Sequence, residues 1–248
     1  MKTKRLLTIK KKQSGRDSAG HVSIRHRGGE QKRFLRQMDW RRVQKDIPAR
    51  VESIEYDPNR TTKIALLLYP NGSRSYILAP DKLSVGDILI ASENAPIKPG
   101  NNLPLFKIPA GIPLHCLEQF PGGGAKLIRS AGSSAYVQSV EKDKAIIKLP
   151  SGELKIFPAG AWATIGQLSN PSHNQIQIGS AGRLRRMGIR PTVRGVVQHP
   201  NSHPHGGGEG KSGIGMKYPK TPWGKPALGK KTRSRKKYSN HLIIKRRK

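Results

Sequence analysis

The chain has 248 residues, 47 Lys and Arg against 15 Asp and Glu, and a formal net charge of +32. Such a charge repels itself and calls for a polyanion, nucleic acid first and an anionic membrane second. The single cysteine, Cys116, excludes an internal disulfide and a thiolate zinc site, and the longest strongly apolar run, Ile64 to Tyr69, is far too short to cross a membrane.

The charge is unevenly placed. Residues 1–50 carry 16 basic and 4 acidic side chains, residues 51–180 carry 12 and 10, and residues 181–248 carry 19 and 1, for net charges of +12, +2 and +18. Apolar residues number 54 of 130 in the centre and 31 of 118 in the flanks. The centre can build a core, and the flanks cannot offset chain entropy unaided. The expected division is a basic N-terminal extension over 1–50, two small β-barrels over 51–121 and 122–180, and a basic C-terminal extension over 181–248.

In chain order the centre reads as strands. Val51 to Tyr56 alternates and stops at the turn cluster Asp57-Pro58-Asn59. Lys63 to Tyr69 is an apolar strand, Pro70-Asn71-Gly72 a hairpin turn, and Arg74 to Leu78 the return. Leu83 to Ile90 is a further strand. The Pro/Gly-rich stretch Pro96 to Pro113 interrupts, and Leu114 to Phe120 resumes. After Gly122-Gly123-Gly124 a second meander follows: Tyr136 to Val140, Ala145 to Leu149, the turn Pro150-Ser151-Gly152, and Leu154 to Phe157. The hairpins LLLYPNGSRSYIL and IIKLPSGELKIF echo each other. The fold class is therefore mainly β. Helical periodicity never exceeds about two turns, and Ala181 to Met187 is the best single turn.

The flanks carry the motifs. Arg183, Arg185, Arg186, Arg190 and Arg194 lie in one run broken by Gly188, Pro191 and Gly195. Guanidinium forks pair with phosphates and stack on bases, so the run reads as an RNA track. His199-Pro-Asn-Ser-His203-Pro-His205-Gly-Gly-Gly-Glu-Gly-Lys211-Ser212 follows. Its end imitates a phosphate-binding P-loop, but His205 stands where the first glycine is required. A histidine metal site lacks a well-placed second ligand class except Glu209. A general base at His203 lacks an orienting carboxylate, because Ser202 precedes it. The reading preferred is a loop met by RNA, with glycine backbone near phosphates and His203 and His205 touching bases. Trp223, among prolines and lysines with Lys225, either stacks on a base or packs on a barrel. The tail, with Lys230, Lys231 and Arg233, neutralises phosphate.

These strings together resemble the large-subunit ribosomal protein L two family. The resemblance rests on Ser14-Gly-Arg16, Arg25-His26-Arg27-Gly-Gly29, Ile54-Glu-Tyr-Asp-Pro-Asn-Arg60, Tyr76-Ile-Leu-Ala-Pro80, Arg129-Ser-Ala-Gly132, Gly188-Ile-Arg-Pro-Thr-Val-Arg-Gly195, His203 to Gly210 and Thr221-Pro-Trp-Gly-Lys225. It implies an oligonucleotide-binding-type barrel, then an SH3-like barrel. It adds Arg25, His26, Arg27, Arg60 and Arg129 to the rRNA-binding residues. The implied partners are large-subunit rRNA, neighbouring ribosomal proteins, the small subunit at the intersubunit face and, indirectly, tRNA; no membrane is implied. The implied role is structural, supporting subunit association, tRNA binding and the peptidyl-transferase region. No cofactor is expected, with Mg ions held mainly by the rRNA. Family members usually have Asp where Ser202 stands, which argues against acid–base chemistry at His203. The segment Met1 to Gln13 replaces a longer bacterial stretch, as in organelle-encoded mitochondrial members, so the expectation is the mitochondrial matrix ahead of a bacterial cytoplasm. The competing readings are a basic nucleic-acid-binding protein acting outside the ribosome and an enzyme using His203 or Lys211.

Overall fold

The computed structural model describes residues 4–229 and 231–247. They form a mainly β protein in two compact units, one containing residues 4–10, 32–177 and 238–247, the other 11–31, 178–229 and 231–237.

In the larger unit a ribbon pairs β1 (Leu7–Ile9) with β2 (Phe34–Arg36). A four-stranded antiparallel sheet follows, β3 (Ala49–Glu55), β4 (Ile64–Leu68), β5 (Arg74–Leu78) and β6 (Ile88–Leu89), in the order β5-β4-β3-β6. A register shift between Val51 and Ser53 bulges β3, which bends the strand and increases its twist. Strand β4 is buried on both faces. Ala65 and Leu67 pack with Val51, Ile77 and Leu89, while Ile64 and Leu66 pack with Tyr76, Leu78 and Leu168. This explains why β4 reads as a continuous apolar run and not as an alternation.

The second sheet has seven strands. They are β7 (Asn102–Pro104), β8 (Pro113–His115), β11 (Ala135–Val140), β12 (Lys144–Lys148), β13 (Leu154–Pro158), β14 (Trp162–Ile165) and β15 (Ile243–Lys245), in the order β15-β13-β12-β11-β8-β14-β7. Between β8 and β11, β9 (Leu117–Glu118) and β10 (Ala125–Leu127) make a separate ribbon. The core is Leu103, Leu105, Leu114, Leu117, Val137, Ile147, Phe157 and Ile165 with small alanines between them. Each large side chain is worth roughly 1.5–3 kcal/mol of burial.

The two echoing hairpins have one construction. Gly72 (φ 77) donates its N–H to Tyr69 O, and Gly152 (φ 82) donates to Leu149 O. Only glycine adopts these backbone angles without strain.

Several elements differ from expectation. Residues 83–87 turn instead of continuing a strand: the Asp87 carboxylate accepts the Ser84 N–H at 2.8 Å, and Gly86 (φ 100) donates to Val51 O. The strand expected from Leu114 to Phe120 breaks at Cys116, which takes φ 49 and donates to Ile128 O. The Pro/Gly-rich stretch supplies β7, so the second sheet takes strands from well ahead of residue 122. The basic tail supplies β15, which covers the edge of β13. Gly122 to Gly124 is more than a joint. The buried Glu118 carboxylate accepts N–H bonds from Gly122, Gly124 and Trp162 at 3.1, 2.9 and 3.2 Å.

The smaller unit contains no hydrophobic cluster among the described residues. Its one α-helix there, α1 (Ala181–Arg186), lies where the single turn was expected. Backbone pairing holds the N-terminal and C-terminal segments together. Gly28 N–H donates to Gly188 O at 2.9 Å, Arg190 N–H to His26 O at 3.0 Å, and Gln31 N–H to Arg186 O at 3.0 Å, with Arg27 bridging Ile189. The two basic extensions are thus partly one body.

Candidate nucleic-acid interface

The larger unit gathers cations around Trp40. The Asp57-Pro58-Asn59-Arg60 turn is fixed by its buried carboxylate: Asp57 accepts the Asn59 N–H at 2.9 Å and pairs with Arg60 Nε at 2.6 Å, with Arg36 Nη1 at 3.9 Å. The β2 region clamps the same turn. Arg33 donates to Pro58 O, and Asn59 Nδ2 donates to Phe34 O at 2.7 Å. So held, the Arg60 guanidinium stands 5.6 Å from the Trp40 ring centre. Arg129 follows β10 and stands 4.8 Å from the same ring. The Asp39 carboxylate accepts the N–H groups of Arg41, Arg42 and Val43, and Trp40 O accepts the Ala125 N–H, which positions the indole. Two guanidiniums on one indole are each worth roughly 0.5–1 kcal/mol at a partly exposed site. They concentrate positive charge at one point of the surface, and guanidinium forks of this kind can pair with phosphate or stack on a base. Sequence reasoning named Arg60 and Arg129 but missed Trp40, Arg36 and the Lys45 ammonium, which lies 4.1 Å over the Trp162 ring. An aromatic amid Met38-Asp-Trp40-Arg-Arg42 was the available signal.

In the smaller unit Arg25 lies 5.2 Å over the Trp223 ring, and Trp223 remains 72% exposed. Arg27, Arg183, Arg185, Arg186, Arg190 and Arg194 are all exposed, as is His26, whose carbonyl takes the Arg190 N–H. Lys211, Lys225, Lys231 and Arg233 are exposed as well, and Lys230 lies outside the described residues.

The two loop histidines make hydrogen bonds within the smaller unit. His203 is 8% exposed; its Nδ1 accepts the His205 N–H at 3.0 Å, and the two rings are 4.7 Å apart. His205 Nε2 accepts the Lys220 N–H at 2.8 Å. An imidazole nitrogen that accepts cannot also donate, so each of these nitrogens is engaged as a lone-pair acceptor. Burial, then His205 and Arg25, hold His203 below the ordinary histidine value. The rings organise the loop, and the glycine-rich backbone that follows is what faces outward. No strand–loop–helix surrounds Lys211, and among the described residues no three His, Cys, Asp or Glu side chains converge to hold a metal.

Arginines laid on indole faces, and a strongly basic smaller unit with no hydrophobic cluster among the described residues, are features of a nucleic-acid-binding protein. The comparisons with known families agree. The family model described as Ribosomal Proteins L2, RNA binding N-terminal domain, matches residues 3–91, and Ribosomal Proteins L2, C-terminal domain, matches residues 98–224. The chain belongs to the ribosomal protein L2 family: it is an rRNA-binding protein of the large ribosomal subunit, with an oligonucleotide-binding-type barrel and an SH3-like barrel. The interval between the two matches falls between β6 and β7, where one sheet ends and the next begins.

Proposed function

We propose that the chain acts in the large subunit as an RNA scaffold and performs no bond chemistry itself. Arg60, Arg129 and Trp40 form one rRNA contact on the larger unit. Arg25, Arg27, Arg183, Arg185, Arg186, Arg190, Arg194, Lys211, Trp223 and Lys225 form another on the smaller unit, with Lys231 and Arg233 neutralising phosphate. Peptidyl-transferase support, tRNA binding and subunit association follow indirectly, through RNA held in place; Mg ions belong mainly to that RNA. The observation that carries this reading is the convergence of Arg60 and Arg129 on Trp40. The internal use of the His203 acceptor nitrogen supports the absence of acid–base chemistry.

The test is single-turnover peptide transfer on purified particles carrying His203→Ala, normalised to their content of this protein and to bound tRNA. A scaffold predicts a near-normal rate. A positioned acid–base group is worth ~10²–10⁴ in rate, and a loss of that size with a shifted pH profile would overturn the reading.

A further inference from the structure

Within the larger unit, residues of β5, β7, β8, β9, β10 and β14 and of the segment after β2 line a pocket of about 20 Å³. Its lining includes Arg42, Asn102, His115, Cys116, Glu118 and Thr164. His115 is completely buried, and its Nδ1 lies 2.8 Å from Gly166 O. A carbonyl only accepts, so Nδ1 carries the hydrogen and Nε2 is left as a lone-pair acceptor. That Nε2 is buried and has no partner among the protein groups. A buried acceptor without a donor is costly, and native interiors supply one, from protein or from ordered water.

The imidazole cannot solve this by taking a proton. Burial holds His115 down to about 4, and the neighbouring Arg42 cation acts in the same direction. Arg42 is itself buried and committed to Gly100 O at 2.6 Å. The Arg42 charge that disfavours a proton on His115 would disfavour a metal cation there too, and the adjacent Cys116 thiol is pushed up to about 12 by burial and stays protonated. The cavity is of the size that one water needs, roughly 10–15 Å³ of accessible volume or more. Polar partners are at hand: Thr164 Oγ1 and Asn102 Oδ1, 3.4 Å apart, sit on the paired strands β14 and β7.

We propose that one internal water occupies this cavity, donating to His115 Nε2 and held on its other side by Asn102 and Thr164. The water joins β8 to the β7–β14 pair as a structural component of the fold.

Two measurements test this on the full chain. In a map of the large subunit fine enough to show ordered solvent, a single water-sized peak should lie within hydrogen-bond distance of His115 Nε2. A cavity closed by side chains, or a heavier peak with stoichiometric metal by elemental analysis, would overturn the proposal. In ¹⁵N spectra of the histidine-labelled protein, His115 should be the neutral Nδ1–H tautomer with an Nε2 shift typical of an accepting nitrogen. An Nε2–H tautomer would overturn it. The His115→Phe variant should lose the peak, and a peak retained unchanged would show that His115 does not hold the water. If that variant does not fold, the wild-type map and tautomer still decide.

Discussion

Gly195 lies flat against the His203 imidazole, so close that a Cβ at 195 would stand 2.5 Å from Cε1 and 2.6 Å from Nδ1. The ring cannot retreat, because its Nδ1 holds the His205 N–H. Gly195→Ala should therefore loosen the loop from 195 to 206, at about 1–3 kcal/mol for an overpacked site. Amide exchange in the full chain checks it. Faster exchange confined to that loop is expected, with the barrels unchanged.

Leu154 faces Lys245, and Ile156 N–H donates to Leu242 O, so the end of the basic tail is part of the second sheet. Deleting 241–248 should lower Tm by exposing the β13 edge. Replacing Lys231, Lys236 and Lys237 by Gln should leave Tm unchanged. It should instead flatten the salt dependence of rRNA binding, by about 0.7–0.9 in the log–log slope for each phosphate no longer neutralised. Paired melting and salt-titration curves separate the two roles of the tail.

How much of this was legible beforehand follows from range. The β4–β5 and β12–β13 hairpins were readable because Pro-Asn-Gly and Pro-Ser-Gly fix the turn locally. Strand β15 was hidden because Leu242, Ile243 and Ile244 are too few among cations to signal a strand, and its partner lies about ninety residues away. Arg60 and Arg129 were legible as cations. Their meeting on Trp40 was not, because nothing local links three segments so far apart in sequence. The histidine loop was legible as a loop, but the ring nitrogens' use depends on Gly195 and Lys220, which composition does not connect.

Asp57 is buried and pairs with Arg60 at 2.6 Å. Removing one partner of a buried ion pair costs about 3–5 kcal/mol. Arg60 keeps 17% of its side chain exposed, so Asp57→Ala should cost less than that in chemical denaturation. It should also weaken rRNA binding more than the reduced stability explains, because Arg60 is no longer held toward Trp40.

His115 has a folded value of about 4 against an ordinary 6.5. The depressed value means that folding requires the neutral ring. Its contribution is therefore complete above the unfolded value and is lost as pH falls from 6.5 toward 4. At roughly 1.4 kcal/mol per unit the change amounts to about 3 kcal/mol. Denaturation midpoints measured across that window should fall in the wild type. In His115→Phe the part of the fall due to this group should be absent.

Arg60 and Arg129, gathered on Trp40, are the cations on which the rRNA-binding reading of the larger unit rests. A density map of the large subunit containing this chain tests that reading most directly. The expected result is rRNA phosphate or a stacked base within contact distance of both guanidiniums. Open solvent or another protein over Trp40, with rRNA elsewhere, would contradict it.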